Sequence, residues 1–178
     1  MSQKRSAKRH PVTQPSDPSY RFIPLTKRQN AIVDAEDYDW LNQWNWCATW
    51  QKNSNTFHAA RRIGHKGQLV KMHNVIIGVC PPQQVDHIDH NGLNNRRKNL
   101  RKCTNSQNMA NRRTQSNNTS GYKGVSWNKR MQKWRVRIFA NGREFCGGYY
   151  TQIEDAARAA DKIAIIHHGK FAFLNFPH

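Results

Sequence analysis

Apolar positions along the chain change their period several times, and each change marks a predicted element. Before about residue 20 there is no period, only a stretch rich in Lys, Arg, Ser and Pro. That predicts a basic disordered arm over residues 1–20. From residue 21 to 80 the chain reads as folded. Asp37 to Gln43 is predicted as a short helix, with Trp40, Leu41 and Trp44 on one side. The alternating and aromatic runs Trp46–Gln51, Phe57–Ile63 and Gln68–Met72 are predicted strands of a small antiparallel sheet. Turn residues separate them at Asn53-Ser54-Asn55 and Gly64-His65-Lys66-Gly67. Most of Trp40, Trp44, Trp46 and Trp50 are expected in the core.

Two further units follow. Val85 to Ile88 reads as a strand, Asn91-Gly92 as a turn, and Asn99 to Arg101 as the return strand. Thr104 and Gln107 then form a capping box, so a helix is expected from Thr104 to about Arg113, with Asn108 one turn into it. Residues 114–120 are a polar linker. Beyond it, Tyr122–Trp127, Lys133–Ala140 and Arg143–Tyr149 read as three strands, the last two joined by the hairpin signal Asn141-Gly142. Thr151 and Glu154 suggest a second capping box, opening a helix that runs to about His168 and stops at Gly169. Its apolar face is mostly small: Ile153, Ala156, Ala157, Ala160, Ile163 and Ala164. The fold class is therefore α+β, in two parts. A small antiparallel β region with a strand-loop-strand-helix core over 84–113 makes up residues 21–113. A three-stranded antiparallel sheet packed on one helix makes up residues 121–177.

Charge narrows the partner. The 178 residues carry 29 Lys plus Arg against 11 Asp plus Glu, a formal net charge of +18. Solubility needs far less, so the excess points to a polyanion. No apolar run is long enough for a membrane span, and no apolar stretch follows the basic N-terminus as in a secretory signal. Nucleic acid is the expected partner and a membrane is not. Charge and aromatics alone would also suit RNA. Cys47, Cys80, Cys103 and Cys146 are scattered without Cys-x-x-Cys spacing. They read as buried thiols of a reducing compartment, and no structural zinc is expected.

Candidate chemistry gathers in the segment from Val85 to Arg113. Phosphodiester hydrolysis needs an activated water and positive charge at the phosphate. A histidine is suited to take the proton, and a divalent cation on hard oxygen ligands supplies the charge. His87 offers the first, and Asp86 and Asn108 offer the second. Adjacent strand residues point to opposite faces, so Asp86 and His87 can share a substrate only at the strand's end or edge. Asp89 and His90 are expected in the loop and off the metal. For His73, in Met72-His73-Asn74, a packed structural role is preferred to one in the site.

The set Asp86-His87, Asn99-Leu100 and Asn108 resembles the ββα-metal motif of HNH endonucleases, closest to phage and intron-encoded homing enzymes. The resemblance implies that His87 is the general base and that Asp86 and Asn108 bind one divalent cation. It implies that Asn99 holds the loop between the strands. Asn108 replaces the motif's final His, an H-N-N variant, and an amide oxygen there favours Mg²⁺ or Mn²⁺. Arg96 is the expected phosphate clamp among the neighbouring cations.

The C-terminal unit is similar to the plant APETALA/ethylene-response-factor DNA-binding domain, which also accompanies HNH nucleases in phages. The likeness lies in Gly121-Tyr122-Lys123-Gly124-Val125, Lys133-Trp134, Gly148-Tyr149, Glu154-Asp155-Ala156-Ala157 and Leu174-Asn175-Phe176-Pro177. It implies DNA contacts from Lys123, Arg135 and Arg137. Ser126 and Cys146 depart from the plant pattern, so the plant target sequence does not carry over. Together the two resemblances imply a phage-encoded endonuclease of double-stranded DNA, monomer or homodimer, acting in the host cytoplasm. The competing expectation is a DNA-binding regulator without catalysis.

Overall fold

Among the described residues the paired strands are antiparallel and short. The computed structural model describes residues 9–52, 54–64, 67–115 and 117–177. They form two compact units, one ending at Cys103 and the other beginning at Thr104.

In the first unit, β1 (Tyr20–Pro24) pairs with β2 (Asn30–Asp34), and α1 (Ala35–Asn42) follows directly. This hairpin carries no turn glycine and was not predicted from sequence. Its tight connection places Lys27 and Arg28 at positive φ. A three-stranded sheet comes next, in the order β3 (Cys47–Gln51), β4 (Thr56–Ile63), β5 (Gln68–Lys71). A short helix, α2 (Met72–Ile77), was likewise unpredicted. The ribbon β6 (Gln84–His87) and β7 (Leu100–Cys103) closes the unit, with Asp86 opposite Arg101 and His87 opposite Leu100. Ile23, Val33, Leu41, Trp46, Ala59, Met72, Ile76 and Leu100 share one core. That core fixes the ends of β4, α2 and β6 against each other.

Several expectations change here. Residues 1–8 of the expected arm lie outside the described residues. Residues 9–20 are tied down: Arg9 donates to the carbonyl oxygens of Asn42 and Trp44, and Gln14 exchanges two hydrogen bonds with the backbone of Phe22. These tethers are polar and local, so they leave no apolar period in the sequence. Of the four tryptophans, Trp46 is buried and Trp40 packs on the core, while Trp44 and Trp50 are exposed. The guanidinium of Arg61 covers the Trp44 ring at 3.9 Å, which suits a half-wet surface. Cys47, Cys80 and Cys146 are exposed, and only Cys103 is buried as expected.

The second unit opens on α3 (Asn105–Asn111), with the capping box of Thr104 and Gln107 present in both directions. The sheet that follows has β9 (Lys133–Ala140) between β8 (Val125–Asn128) and β10 (Arg143–Tyr150). Across it lies α4 (Ile153–His168). Gln152 rather than Thr151 precedes the helix, and no side chain caps it, so the second capping box does not form. Val136, Ile138, Ala156, Ala157, Ala160 and Ala164 are the core. Small residues on α4 allow close approach. A Cβ at Gly147 would sit 2.5 Å from Val136 and 2.6 Å from Ile163. The carboxylate of Asp161 accepts from the backbone of Asn175 and Phe176 and from the Asn175 amide, which pins the C-terminal segment.

Candidate active site

β6 ends on Asp86 and His87, both buried, and their side chains have different partners. Asp86 Oδ2 accepts from Arg101 Nε at 2.8 Å and Nη2 at 2.7 Å, directly across the ribbon. The His87 ring faces the loop instead. Its Nε2 lies 3.5 Å from Oδ1 of Asn95. The Asn95 amide donates through Nδ2 to the carbonyl of Leu93, so Oδ1 is the acceptor and His87 Nε2 the donor. Nδ1 is then the nitrogen with the lone pair. Burial lowers the His87 pKa, while Asn95, Asp89 and Asp86 act to raise it. Burial is the largest of these effects and favours the neutral imidazole, the form a base requires.

The loop between the strands is held by Asn99. Its amide donates to Asp89 Oδ1 and to the Asn94 carbonyl, both at 2.8 Å, and its Oδ1 accepts from the Asp89 backbone at 3.0 Å. Asp89 in turn accepts from the Asn94 amide at 2.7 Å and from the Asn91 backbone. Asp89 is thus a loop-building residue.

Two further histidines pack against His87: the sequence reading gave His73 a packed role and did not single out His58. His73, on α2, is only 3% exposed, and its ring lies 4.9 Å from that of His87. His58, on β4, completes the group at 5.3 Å from each of the other rings. Burial lowers the His58 pKa to about 3 and carries that of His73 well below 6.5. No sequence spacing links His58 to His87. Gly92 is a partial signal: a Cβ there would lie 2.7 Å from His58 Nε2 and 2.5 Å from the Phe57 carbonyl, so the loop rides directly on β4. Asn95, fully buried, was also missed.

Arg96 does not present a free cation. Its Nε binds Asp34 Oδ1 at 2.9 Å and its Nη2 donates to Ser19, which leaves the side chain 16% exposed. The expected phosphate clamp is instead a tie between the loop and the β2–α1 junction. Asp34 sits where it can also accept from the Arg97 backbone, which explains why the arginine turns inward.

In the second unit, the Asn108 backbone bonds to Thr104 in the first turn of α3. Lys123 is turned inward as well. Its ammonium donates to the Ala110 carbonyl and, at 2.7 Å, to that of Arg112. Burial, then Arg112, lowers its pKa to about 8. It satisfies the last carbonyls of α3 rather than facing outward as DNA contact requires. Arg135 and Arg137 lie on the sheet face away from α4, beside Ser126, Cys146 and Tyr149 in the register. Arg137 Nη1 is 3.4 Å from Glu144. Phe139 on the same face is 64% exposed.

A buried aspartate and a desolvated imidazole thus stand at one strand end beside an asparagine-braced loop. Residues 72–110 match the family HNH endonuclease, and residues 120–166 match the AP2 domain. The chain therefore carries an HNH endonuclease domain followed by an AP2 DNA-binding domain. It is also similar to Protein 3.8 of Escherichia phage T7, 43% identical over 60 residues. The match covers 34% of this chain and spans half the length of that protein. No solved structure matches the chain significantly. Among the described residues, no helix is long and apolar enough to cross a membrane.

Proposed function

We propose that the chain is a homing-type, phage-encoded endonuclease that hydrolyses one phosphodiester bond of double-stranded DNA per active site, in the host cytoplasm. Its nuclease domain extends over residues 21–113 and its reader over 121–177, joined by 114–120. The observation that carries the reading is His87, a neutral imidazole on the matched stretch whose Nε2 is engaged by Asn95.

His87 takes a proton at Nδ1 from a water, whose oxygen attacks phosphorus as the bond to the leaving oxygen breaks. Asn95 and the Asn99-braced loop hold the ring in one orientation. Oxygen donors suit a hard divalent cation. Asp86 is a buried carboxylate that tolerates burial beside positive charge, here Arg101. By sequence position Asp86 and Asn108 would hold Mg²⁺ or Mn²⁺, which when bound offsets charge on the phosphate. Target selection falls to the sheet of the AP2 domain. A β-ribbon fits the major groove, and Arg135 and Arg137 are the contacts we assign. Either a monomer that nicks or a homodimer that cuts both strands is compatible with one site per chain.

The test is to separate cutting from binding. His87→Ala should lower strand cleavage by on the order of a hundredfold or more, with DNA affinity within about twofold of wild type. Cleavage at the wild-type rate in that variant would sink the mechanism.

A further inference from the structure

Three histidines from three elements converge in the first unit, and the nuclease reading uses one of them. His58 comes from β4, His73 from α2 and His87 from β6. The ring planes meet at 71°, 79° and 87°, and one ligand nitrogen from each lies within 4.8 Å of the other two. Two details set this apart from ordinary packing. Nδ1 of His58 and Nδ1 of His73 are buried without a hydrogen-bond partner among the described residues. Buried polar nitrogens are seldom left so. The other nitrogens of two rings do have oxygen partners, His58 Nε2 with Ser54 Oγ and His87 Nε2 with Asn95 Oδ1, each at 3.5 Å. Outer partners of that kind orient metal-binding imidazoles.

We infer that His58, His73 and His87 form a three-imidazole site for one borderline divalent transition cation, Zn²⁺ being the best fit, with its fourth position open. Geometry supports the size. A tetrahedral cation about 2.1 Å from each nitrogen needs ring centroids about 5.2 Å apart. The observed separations are 5.3, 5.3 and 4.9 Å. The ligand nitrogens, within 4.8 Å of one another, close to the roughly 3.4 Å such a cation requires through small χ1 and χ2 adjustments. Three nitrogen donors select against Mg²⁺, so this site is chemically distinct from the oxygen ligands assigned above. The inference has one consequence that rests on the nuclease reading: a cation on His87 removes the lone pair that takes the proton. Zn²⁺ then opposes Mg²⁺-dependent cutting.

The test uses the full chain, freed of metal and titrated with Co²⁺. One Co²⁺ per chain is expected, with the visible bands of a tetrahedral ion, displaced by Zn²⁺ and unmoved by Mg²⁺. His58→Asn and His73→Asn should each weaken binding by more than about tenfold. X-ray absorption on the zinc-loaded wild type needs no variant and should show three imidazoles in the shell. A shell dominated by carboxylate or sulfur, or Co²⁺ binding unchanged in both variants, overturns the inference. Three-imidazole binding that leaves Mg²⁺-dependent nicking intact would keep the site and remove His87 as the base.

Discussion

Three imidazoles in one place, two buried and one half-buried, make the first unit sensitive to acid. In the unfolded chain they titrate near 6.5. Folded, burial holds His58 near 3 and His73 well below its usual value. Between those limits the unfolded chain binds more protons, so stability is full above pH 6.5 and is lost as pH falls. Each such group steepens the loss by about 1.4 kcal/mol per pH unit. Denaturant midpoints of the metal-free protein should drop between pH 7 and 5, and His58→Asn should flatten that drop. Equal midpoints would contradict the buried, neutral state. Asn95 gives a second prediction. Its acceptor raises the His87 pKa against burial. Asn95→Leu should therefore shift the acid limb of the pH–rate profile to lower pH and slow cutting by on the order of tenfold, with DNA affinity retained. An unmoved limb would reduce Asn95 to packing. Asp86, His87, Asn99 and Asn108 are proposed from sequence because they fall within one short segment. His58 and Asn95 are not, because only the chain's long-range pairing brings them to His87. Cysteine spacing bears only on thiolate-held zinc, and histidines gathered from β4, α2 and β6 leave no such spacing.

At the scale of elements, the chain announces its caps and hairpins better than its hidden contacts. The box at Thr104 and Gln107 and the strands β9 and β10 follow from local chemistry, as the sequence suggests. The β1–β2 hairpin and α2 do not, since each is short and held by the shared core rather than by its own pattern. Arg96 and Lys123 look alike in sequence to any DNA-facing cation. Asp34 and the α3 carbonyls turn them inward. The close seat of α4 on the sheet depends on Gly147. Gly147→Ala forces a methyl against Val136 and Ile163 and should destabilise the second unit by about 1–3 kcal/mol. Thermal or denaturant unfolding of the full chain measures it. No loss would mean that the sheet and helix separate at little cost.

For the molecule as a whole, two domains of different purpose share one strongly basic chain. On the function proposed above, the charge of +18 draws the chain to DNA regardless of sequence, the AP2 sheet narrows the choice, and the HNH domain performs the chemistry. A regulator would need the charge and the sheet. It would not need a neutral histidine oriented beside a buried aspartate. Incubation of the purified full chain with supercoiled plasmid carrying phage sequence, with Mg²⁺ or with chelator, decides between them. Conversion to open circles with Mg²⁺ and none with chelator is the predicted result. Intact supercoils with Mg²⁺ and with Mn²⁺, on DNA that the protein demonstrably binds at a specific site, would contradict the nuclease account.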